Sequence, residues 1–134
     1  MRVLTQEPLN AETPPERLRS WITANSVFFH RNQSELKERI SLDEYRLTVE
    51  GRVENPCRFS FDEILRLPKA IQADTLECAG NGRALLKEPA SGNPWKTGGV
   101  GNAVWGGVWL REILARARPH EKARHVAFEG LDEP

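Results

Sequence analysis

The chain has 134 residues, of which 39% are hydrophobic, a size that suits one modest domain and is too short for two. Its 19 basic residues balance 19 acidic ones, which excludes the overall positive field of a protein that binds nucleic acid or anionic membranes. Two cysteines, Cys57 and Cys78, are too few for a disulfide framework. We find no apolar run long enough to cross a bilayer and no signal-peptide pattern, so we expect a soluble, cytoplasmic chain.

The first 27 residues are predicted to form an N-terminal arm followed by a short helix. Residues 1–12 are polar and aperiodic, which is typical of a surface arm. Thr13 and Glu16 then match a capping box at a helix start. The apolar face of this short helix would consist of Leu18, Trp21 and Ile22.

The middle of the chain contains two predicted strands and a second helix. Residues 45–51 alternate apolar and polar side chains, as in a half-buried strand. A capping box at Ser60 and Glu63 opens a helix that a proline closes within two turns. Residues 71–78 form another predicted strand, which gives way to the glycine-rich turn at 79–83.

The last third of the chain begins with a predicted loop-rich stretch at 88–107, which contains Trp95 and Trp105. An amphipathic helix follows, because apolar residues recur at helical spacing, at Leu110, Ile113, Leu114 and Ala117. A final strand is predicted from residue 125 onward. Helices and strands mix without a regular βαβ rhythm, which favours an α+β fold.

Cys78 is the strongest candidate for chemistry in the sequence. It ends a predicted strand and faces a glycine-rich turn, where backbone N–H groups and Arg83 favour the thiolate form. Soft thiolates are good ligands for redox metals. The alternative is a small buried hydrophobic residue at a strand end, and spacing alone slightly favours it.

An anion pocket is a second hypothesis. Arg31, Asn32 and Arg83 would bind a phosphate or a small oxyanion if the fold brought them together, since guanidinium groups bind such anions through two hydrogen bonds. Arginines on loops are more often solvated surface groups.

Several familiar sites do not match. The glycines near residue 100 lack the third glycine of the dinucleotide fingerprint, and no phosphate-binding loop precedes Lys96. The three histidines do not fall at zinc-site spacings with the cysteines. A nucleophilic pair of Cys78 and His30 stays open on residue type alone.

Taken in order, five segments of the chain resemble the sulfite oxidase family of molybdopterin enzymes. They are residues 29–33 (FHRNQ), 75–83 (TLECAGNGR), 94–95 (PW), 104–111 (VWGGVWLR) and 128–132 (FEGLD). The cysteine turn within its strand is the most specific of them. The resemblance covers residues 28–134 and implies an α+β, mixed-sheet molybdopterin-binding domain.

The resemblance also implies roles for particular residues. Cys78 would supply the protein thiolate to molybdenum, beside the two sulfurs of a single molybdopterin. Arg31 and Arg83 match arginines that face the substrate oxyanion, and Trp95 matches a tryptophan of that pocket. The implied pterin contacts are Phe29, His30, Arg31, Asn32, Gln33 and Asp132. Gln33 departs from the family, which commonly has a histidine there, so a hydrogen-bond donor is kept and a titratable ring is lost.

By this resemblance the expected activity is the oxidation of sulfite to sulfate at molybdenum, with electrons passed to a separate acceptor such as a cytochrome, because no haem-attachment motif is present. Family proteins continue past the last segment with more pterin ligands and usually a second, dimerising domain. We therefore expect the chain to be the N-terminal portion of such a protein, truncated at its C-terminus, and a homodimer only if that domain exists. Alternatives are a nitrate reductase-like or methionine sulfoxide reductase-like member, or a non-catalytic truncated remnant.

Overall fold

The computed structural model of the chain describes residues 1–34, 40–88 and 90–131. Helices and two-stranded sheets are mixed along this described part, which confirms the α+β class. Its strands and α-helices are β1 (Arg2–Thr5), β2 (Asn10–Glu12), β3 (Arg46–Val49), β4 (Cys57–Ser60), α1 (Phe61–Leu65), β5 (Lys69–Glu77), β6 (Val100–Val108) and α2 (Leu110–Ala117).

The described chain divides into two compact units. The first unit comprises residues 1–34 and 72–105, and the second comprises residues 40–71 and 106–131. No described helix is long and apolar enough to span a membrane.

The N-terminal residues of the first unit form a hairpin where an irregular surface arm was predicted. Residues 1–9 are exposed or half-buried, as expected of a surface segment, but β2 is not. Strands β1 and β2 pair antiparallel, with Arg2 opposite Glu12 and Val3 opposite Ala11. Ala11 also exchanges both backbone hydrogen bonds with His30, at 3.0 and 2.8 Å. All three residues of β2 are buried. The polar composition misled the prediction because these polar groups are buried with hydrogen-bond partners from distant parts of the chain.

The helix predicted at Thr13 is also wrong, because only a single 3₁₀ turn forms at Pro15–Arg17. Pro14 occupies the N-cap position without a side-chain cap. Thr13 is fully buried, and its backbone N–H donates to the Gly98 carbonyl at 2.9 Å instead of joining a helix. Trp21, expected on an apolar face, is 80% exposed.

Strand β5 matches the strand predicted at 71–78 within two residues, whereas β6 lies where a loop was expected. The glycines of β6 concealed it, since glycine is unfavourable in strands unless a close approach requires it. At Gly101 that requirement is met, because an added Cβ would lie 2.6 to 2.9 Å from the Phe28 ring. Trp105, further along β6, donates its indole N–H to the Asp74 carbonyl at 3.0 Å.

The second unit has an apolar core. Strands β3 and β4 pair antiparallel from Arg46 opposite Ser60 to Val49 opposite Cys57. Phe59, Leu67 and Ile113 form the buried cluster, and partly buried apolar neighbours pack around them. The residues packed around the cluster are Leu47, Val49, Cys57, Ile64 and Val108.

Both predicted helices of the second unit are confirmed. Helix α1 starts with a complete capping box: the Ser60 hydroxyl accepts from the Glu63 N–H, and the Glu63 carboxylate accepts from the Ser60 N–H at 2.8 Å. In α2, Ile113 and Ala117 of the predicted stripe are buried, whereas Leu114 is half-buried and Leu110, at the start of the helix, is exposed.

The strand expected from residue 125 is wrong for the part that can be described. Residues 125–131 are irregular, and Phe128 is 78% exposed. A strand is stable only against a neighbour, and within the described ranges this segment pairs with no other strand. Asp132, the last predicted cofactor contact, lies outside the described residues.

Candidate functional site

The first unit contains a cavity of about 340 Å³ that is open on one side, and its size is within the range of small-molecule sites. Four segments line it. They are the β1–β2 hairpin, residues 31–33, the turn that follows β5, and the loop at 92–95. The cavity therefore collects residues that are far apart in sequence.

Cys78 lines this cavity at the point where β5 ends. It is half-buried and free of any disulfide. Its backbone N–H donates to the Gly99 carbonyl at 2.8 Å, and its carbonyl accepts from the Asn81 N–H at 2.8 Å. The glycine-rich turn predicted from the sequence is thus confirmed, with Gly82 at a φ of +85°, a conformation that other residues rarely adopt.

Arg83 also lines the cavity, and its guanidinium lies in a slot between two glycines. A Cβ at Gly80 would lie 3.0 Å from Nη2, and one at Gly92 would overlap Nη1. Gly92 also has a φ of +97°, so a side chain there would be strained as well. Nη1 donates to the Asn93 carbonyl at 3.3 Å. Glycine at positions 80 and 92 therefore leaves the space that the Arg83 guanidinium occupies.

Arg31, Asn32 and Gln33 supply a second polar wall. The Arg31 guanidinium donates to the Asn32 carbonyl and, at 2.7 Å, to the Gln33 side-chain oxygen. The Gln33 side chain thus acts as an acceptor for Arg31.

Asn10 fixes this second wall to the hairpin. It is buried, and its side-chain oxygen accepts from the Asn32 N–H at 2.9 Å. Its amide nitrogen donates to the Thr5 hydroxyl at 2.9 Å and to the Pro8 carbonyl at 3.0 Å. These three hairpin residues also line the cavity.

Trp95 forms an apolar wall of the cavity and is only 1% exposed. Phe29 meets it edge to face, with ring centroids 6.2 Å apart, and stacks on Phe28 at 5.3 Å. Phe29 supports the wall from behind, because it does not itself line the cavity.

The structure brings most of the predicted site residues together. Those on the cavity are Cys78, Arg31, Asn32, Gln33, Arg83 and Trp95. Phe29 and His30 are not on it, and the backbone of His30 bridges to β2 instead. Asn10, Gly92 and Asn93 also line the cavity, and no sequence pattern predicted them. Gly92 could have been found as an isolated glycine three residues before a tryptophan, which is typical of a turn beside a packed ring. No local pattern distinguishes Asn10 from the polar residues around it.

The charges of the lining suit an anion. Among the described residues that line the cavity, Arg31 and Arg83 are cationic and none is acidic. Guanidinium groups hold phosphates and oxyanions through paired hydrogen bonds, and a cysteine sulfur is a ligand for soft metals. One cavity therefore offers a metal ligand beside donors for an oxyanion.

Comparison with known proteins agrees with this chemistry. Residues 33–134 match the family described as "Oxidoreductase molybdopterin binding domain". The mitochondrial sulfite oxidase of Rattus norvegicus is 40% identical over 98% of this chain and 25% of its own length. A Neurospora crassa nitrate reductase that uses NADPH is 34% identical over 99% of this chain and 16% of its own length.

A solved structure shows a similar fold. It is the sulfane dehydrogenase SoxCD from Paracoccus pantotrophus, at a TM-score of 0.73 and 31% identity, covering 90% of this chain and 32% of that one. The fold is therefore that of a molybdopterin-binding domain. In each of these comparisons the chain spans a third or less of the other protein's length.

Proposed function

The chain belongs to the oxidoreductase molybdopterin-binding domain family, and from that premise we propose that it forms part of a molybdenum enzyme that oxidises sulfite to sulfate. One observation supports this most strongly. Cys78, Arg31 and Arg83 come from three separate segments and line the same cavity. A soft metal ligand in the same cavity as two cationic groups suits the oxidation of a small anion at a bound metal.

The residues present fit the cofactor that the family implies. Cys78 would hold the metal through its thiolate, and the arginine, asparagine and glutamine at 31–33 would hold the polar pterin. The two glycines beside Arg83 support this fit, because they leave room for its guanidinium at the cavity lining. When bound, the molybdenum cofactor supplies the two-electron redox chemistry, which the protein positions and surrounds with charge.

The substrate is expected to bind through charge. Sulfite is a small anion, and Arg31 and Arg83 would hold its oxygens. Its oxidation adds one oxygen from water and releases two protons and two electrons. The electrons leave to a separate acceptor, for which a cytochrome is our proposal.

Nitrate reduction is the second candidate, since the chain is also similar to nitrate reductases. Nitrate is an anion of similar size, so the two arginines alone do not separate the two substrates. The higher identity to sulfite oxidase, 40% against 34%, favours sulfite.

Two measurements test the proposal. The first is the content of molybdenum and pterin in the full chain, purified from a host that makes the cofactor, and we expect one of each per chain. The second is acceptor reduction by the loaded protein, with cytochrome c or ferricyanide and sulfite, against nitrate consumption with a reduced dye. Reduction that depends on sulfite supports the proposal. Nitrate consumption alone, or a folded chain without molybdenum, would contradict it.

A further inference from the structure

The end of β5 contains an irregular hydrogen-bond pattern that bears on Cys78. Strands β5 and β6 run in opposite directions, since Thr75 contacts Asn102 and Cys78 contacts Gly99. Directly opposed residues of an antiparallel pair that are hydrogen-bonded exchange two N–H···O bonds. Cys78 and Gly99 form the first of these, from the Cys78 N–H to the Gly99 carbonyl at 2.8 Å.

The second bond would join the Gly99 N–H to the Cys78 carbonyl, and Asn81 instead provides a partner for each of these two groups. The Gly99 N–H donates to the side-chain oxygen of Asn81 at 3.0 Å, where a regular ladder would use the Cys78 carbonyl. The Cys78 carbonyl accepts from the backbone N–H of Asn81 at 2.8 Å. The chain thus turns away from β6 directly after Cys78, and every backbone group involved keeps a partner.

Two further contacts fix this arrangement. The side-chain nitrogen of Asn81 donates to the Glu77 carboxylate at 2.8 Å, so the carboxylate, which only accepts, sets the orientation of the amide. Gly99 is closely surrounded, because an added Cβ would lie 3.1 Å from the Trp95 ring and 3.4 Å from the Cys78 Cβ. Cys78 and the Trp95 wall are therefore packed against the same glycine.

We propose that Asn81 is a positioning residue that holds Cys78 at the cavity by replacing its carbonyl as the acceptor for Gly99. Without this acceptor, the Gly99 N–H would be left to share the Cys78 carbonyl with the Asn81 N–H, so both bonds at the end of β5 would weaken and Cys78 would be held less firmly. This role in metal binding rests on the proposed function, in which Cys78 binds molybdenum.

Four variants of the full chain test the inference. Asn81→Ala removes the acceptor. Asn81→Asp combined with Glu77→Gln restores it and reverses the polarity of the contact at position 77, since the new amide donates to the new carboxylate. Glu77→Gln alone leaves the Asn81 acceptor in place. Asn55→Ala is the matched control, because Asn55 makes a similar side-chain bond, to the Arg116 carbonyl at 2.9 Å, in the second unit.

Two readouts are measured on each variant, and circular dichroism checks folding. Hydrogen exchange at the Gly99 amide should be about tenfold faster in Asn81→Ala. Molybdenum affinity should fall by about ten- to a hundredfold, as expected when a group that orients a metal ligand is lost. The double variant, Glu77→Gln and Asn55→Ala should all stay close to the unsubstituted chain in both measurements.

The inference is overturned if folded Asn81→Ala keeps both slow Gly99 exchange and full molybdenum affinity. It is equally overturned if the folded double variant loses as much as Asn81→Ala, since the acceptor would then not matter. Should Asn81→Ala fail to fold, the double variant decides alone. If the unsubstituted chain binds no molybdenum, the proposed function fails, and Gly99 exchange still tests whether Asn81 holds the turn.

Discussion

The two units of the molecule have different kinds of interior. Of the described residues, those that are polar and buried all lie in the first unit, namely Asn10, Glu12, Thr13 and Thr23. In the second unit the buried cluster is apolar and centres on Phe59, Leu67 and Ile113. Hydrogen bonds fix direction and distance, whereas apolar packing mainly supplies stability. The cavity therefore lies in the unit whose buried hydrogen bonds hold particular side chains and backbone segments in place.

Glu12 shows how the first unit does this. Its carboxylate accepts from Arg2 at 3.0 Å and from the backbone N–H of Lys96, and its side chain is only 4% exposed. Lys96 directly follows Trp95, the apolar wall of the cavity. One buried carboxylate therefore connects the N-terminal hairpin to that wall.

The largest effect on stability is expected from the apolar cluster. Phe59→Ala should lower the free energy of unfolding by about 3–5 kcal/mol, since it removes a buried ring and leaves a space behind. Urea unfolding of both proteins measures the difference. Phe128→Ala is the control, because this ring in the same unit is 78% exposed, and it should change the value by less than about 0.5 kcal/mol. Equal losses would show that the cluster is not a core.

A smaller loss is expected when the polar interior is changed. Glu12→Gln keeps the shape of the side chain but removes the charge that faces Arg2, and should cost about 1.5–3 kcal/mol by urea unfolding. Glu54→Gln is the matched control, since Glu54 pairs with Arg118 at 3.5 Å and its side chain is 55% exposed. That variant should cost less than about 1 kcal/mol. If Glu12→Gln lowers the free energy of unfolding no more than Glu54→Gln does, the buried hydrogen bonds of Glu12 do not organise the first unit.

The charge of the cavity can be tested by anion binding. Arg83→Lys should weaken the binding of sulfate, a stable stand-in for sulfite, by about tenfold, because lysine loses the paired hydrogen bonds of a guanidinium. Isothermal titration of the full chain measures this. Arg58→Lys, on the exposed side of β4, should leave sulfate binding unchanged. If both variants bind sulfate as the unsubstituted chain does, Arg83 does not recognise the anion.

The smallest effect is expected at the start of α1. Ser60→Ala removes the hydroxyl that caps the Glu63 N–H, and should cost about 1 kcal/mol in urea unfolding at neutral pH. Because the cap acts on a helix end in the second unit, metal content should not change. A loss of molybdenum in this variant would contradict the claim that the second unit supplies stability without positioning the cavity residues.

The same cap predicts a pH dependence. The Ser60 backbone N–H, followed by its hydroxyl, lowers the pKa of Glu63 below its ordinary value of 4.5. A lowered pKa in the folded state stabilises the fold above the ordinary pKa, and this contribution is lost as the pH falls through the folded value. Glu63→Gln should therefore flatten the fall in stability on the acid side, as measured by unfolding from pH 7 to pH 3. An unchanged acid limb would contradict this.

Sequence patterns predicted the local features and missed those that depend on distant partners. The Ser60 capping box and the α2 stripe need only neighbours three or four residues away. Strand β6 was hidden by Gly101, whose absent side chain is explained only by the Phe28 ring above it. The β1–β2 hairpin was missed because its buried polar residues also take partners from far along the chain, as Asn10 does from Asn32, 22 residues away.

The candidate site follows the same rule. The motifs placed Cys78, Arg31 and Arg83 in one site through a family resemblance, and the structure gathers them on one cavity. The cavity also depends on Asn10 and Gly92, which no motif marked. Residues before position 33, where the family match begins, form part of the cavity lining, so the matched region contains only part of the site.

The central claim is that the sulfur of Cys78 binds molybdenum, and X-ray absorption at the metal tests it most directly. The unsubstituted chain should show three sulfur ligands, two from one pterin and one from the protein. Cys78→Ser should show two sulfurs or lose the metal, while Cys57→Ser should keep all three. Three sulfurs in Cys78→Ser would contradict the account.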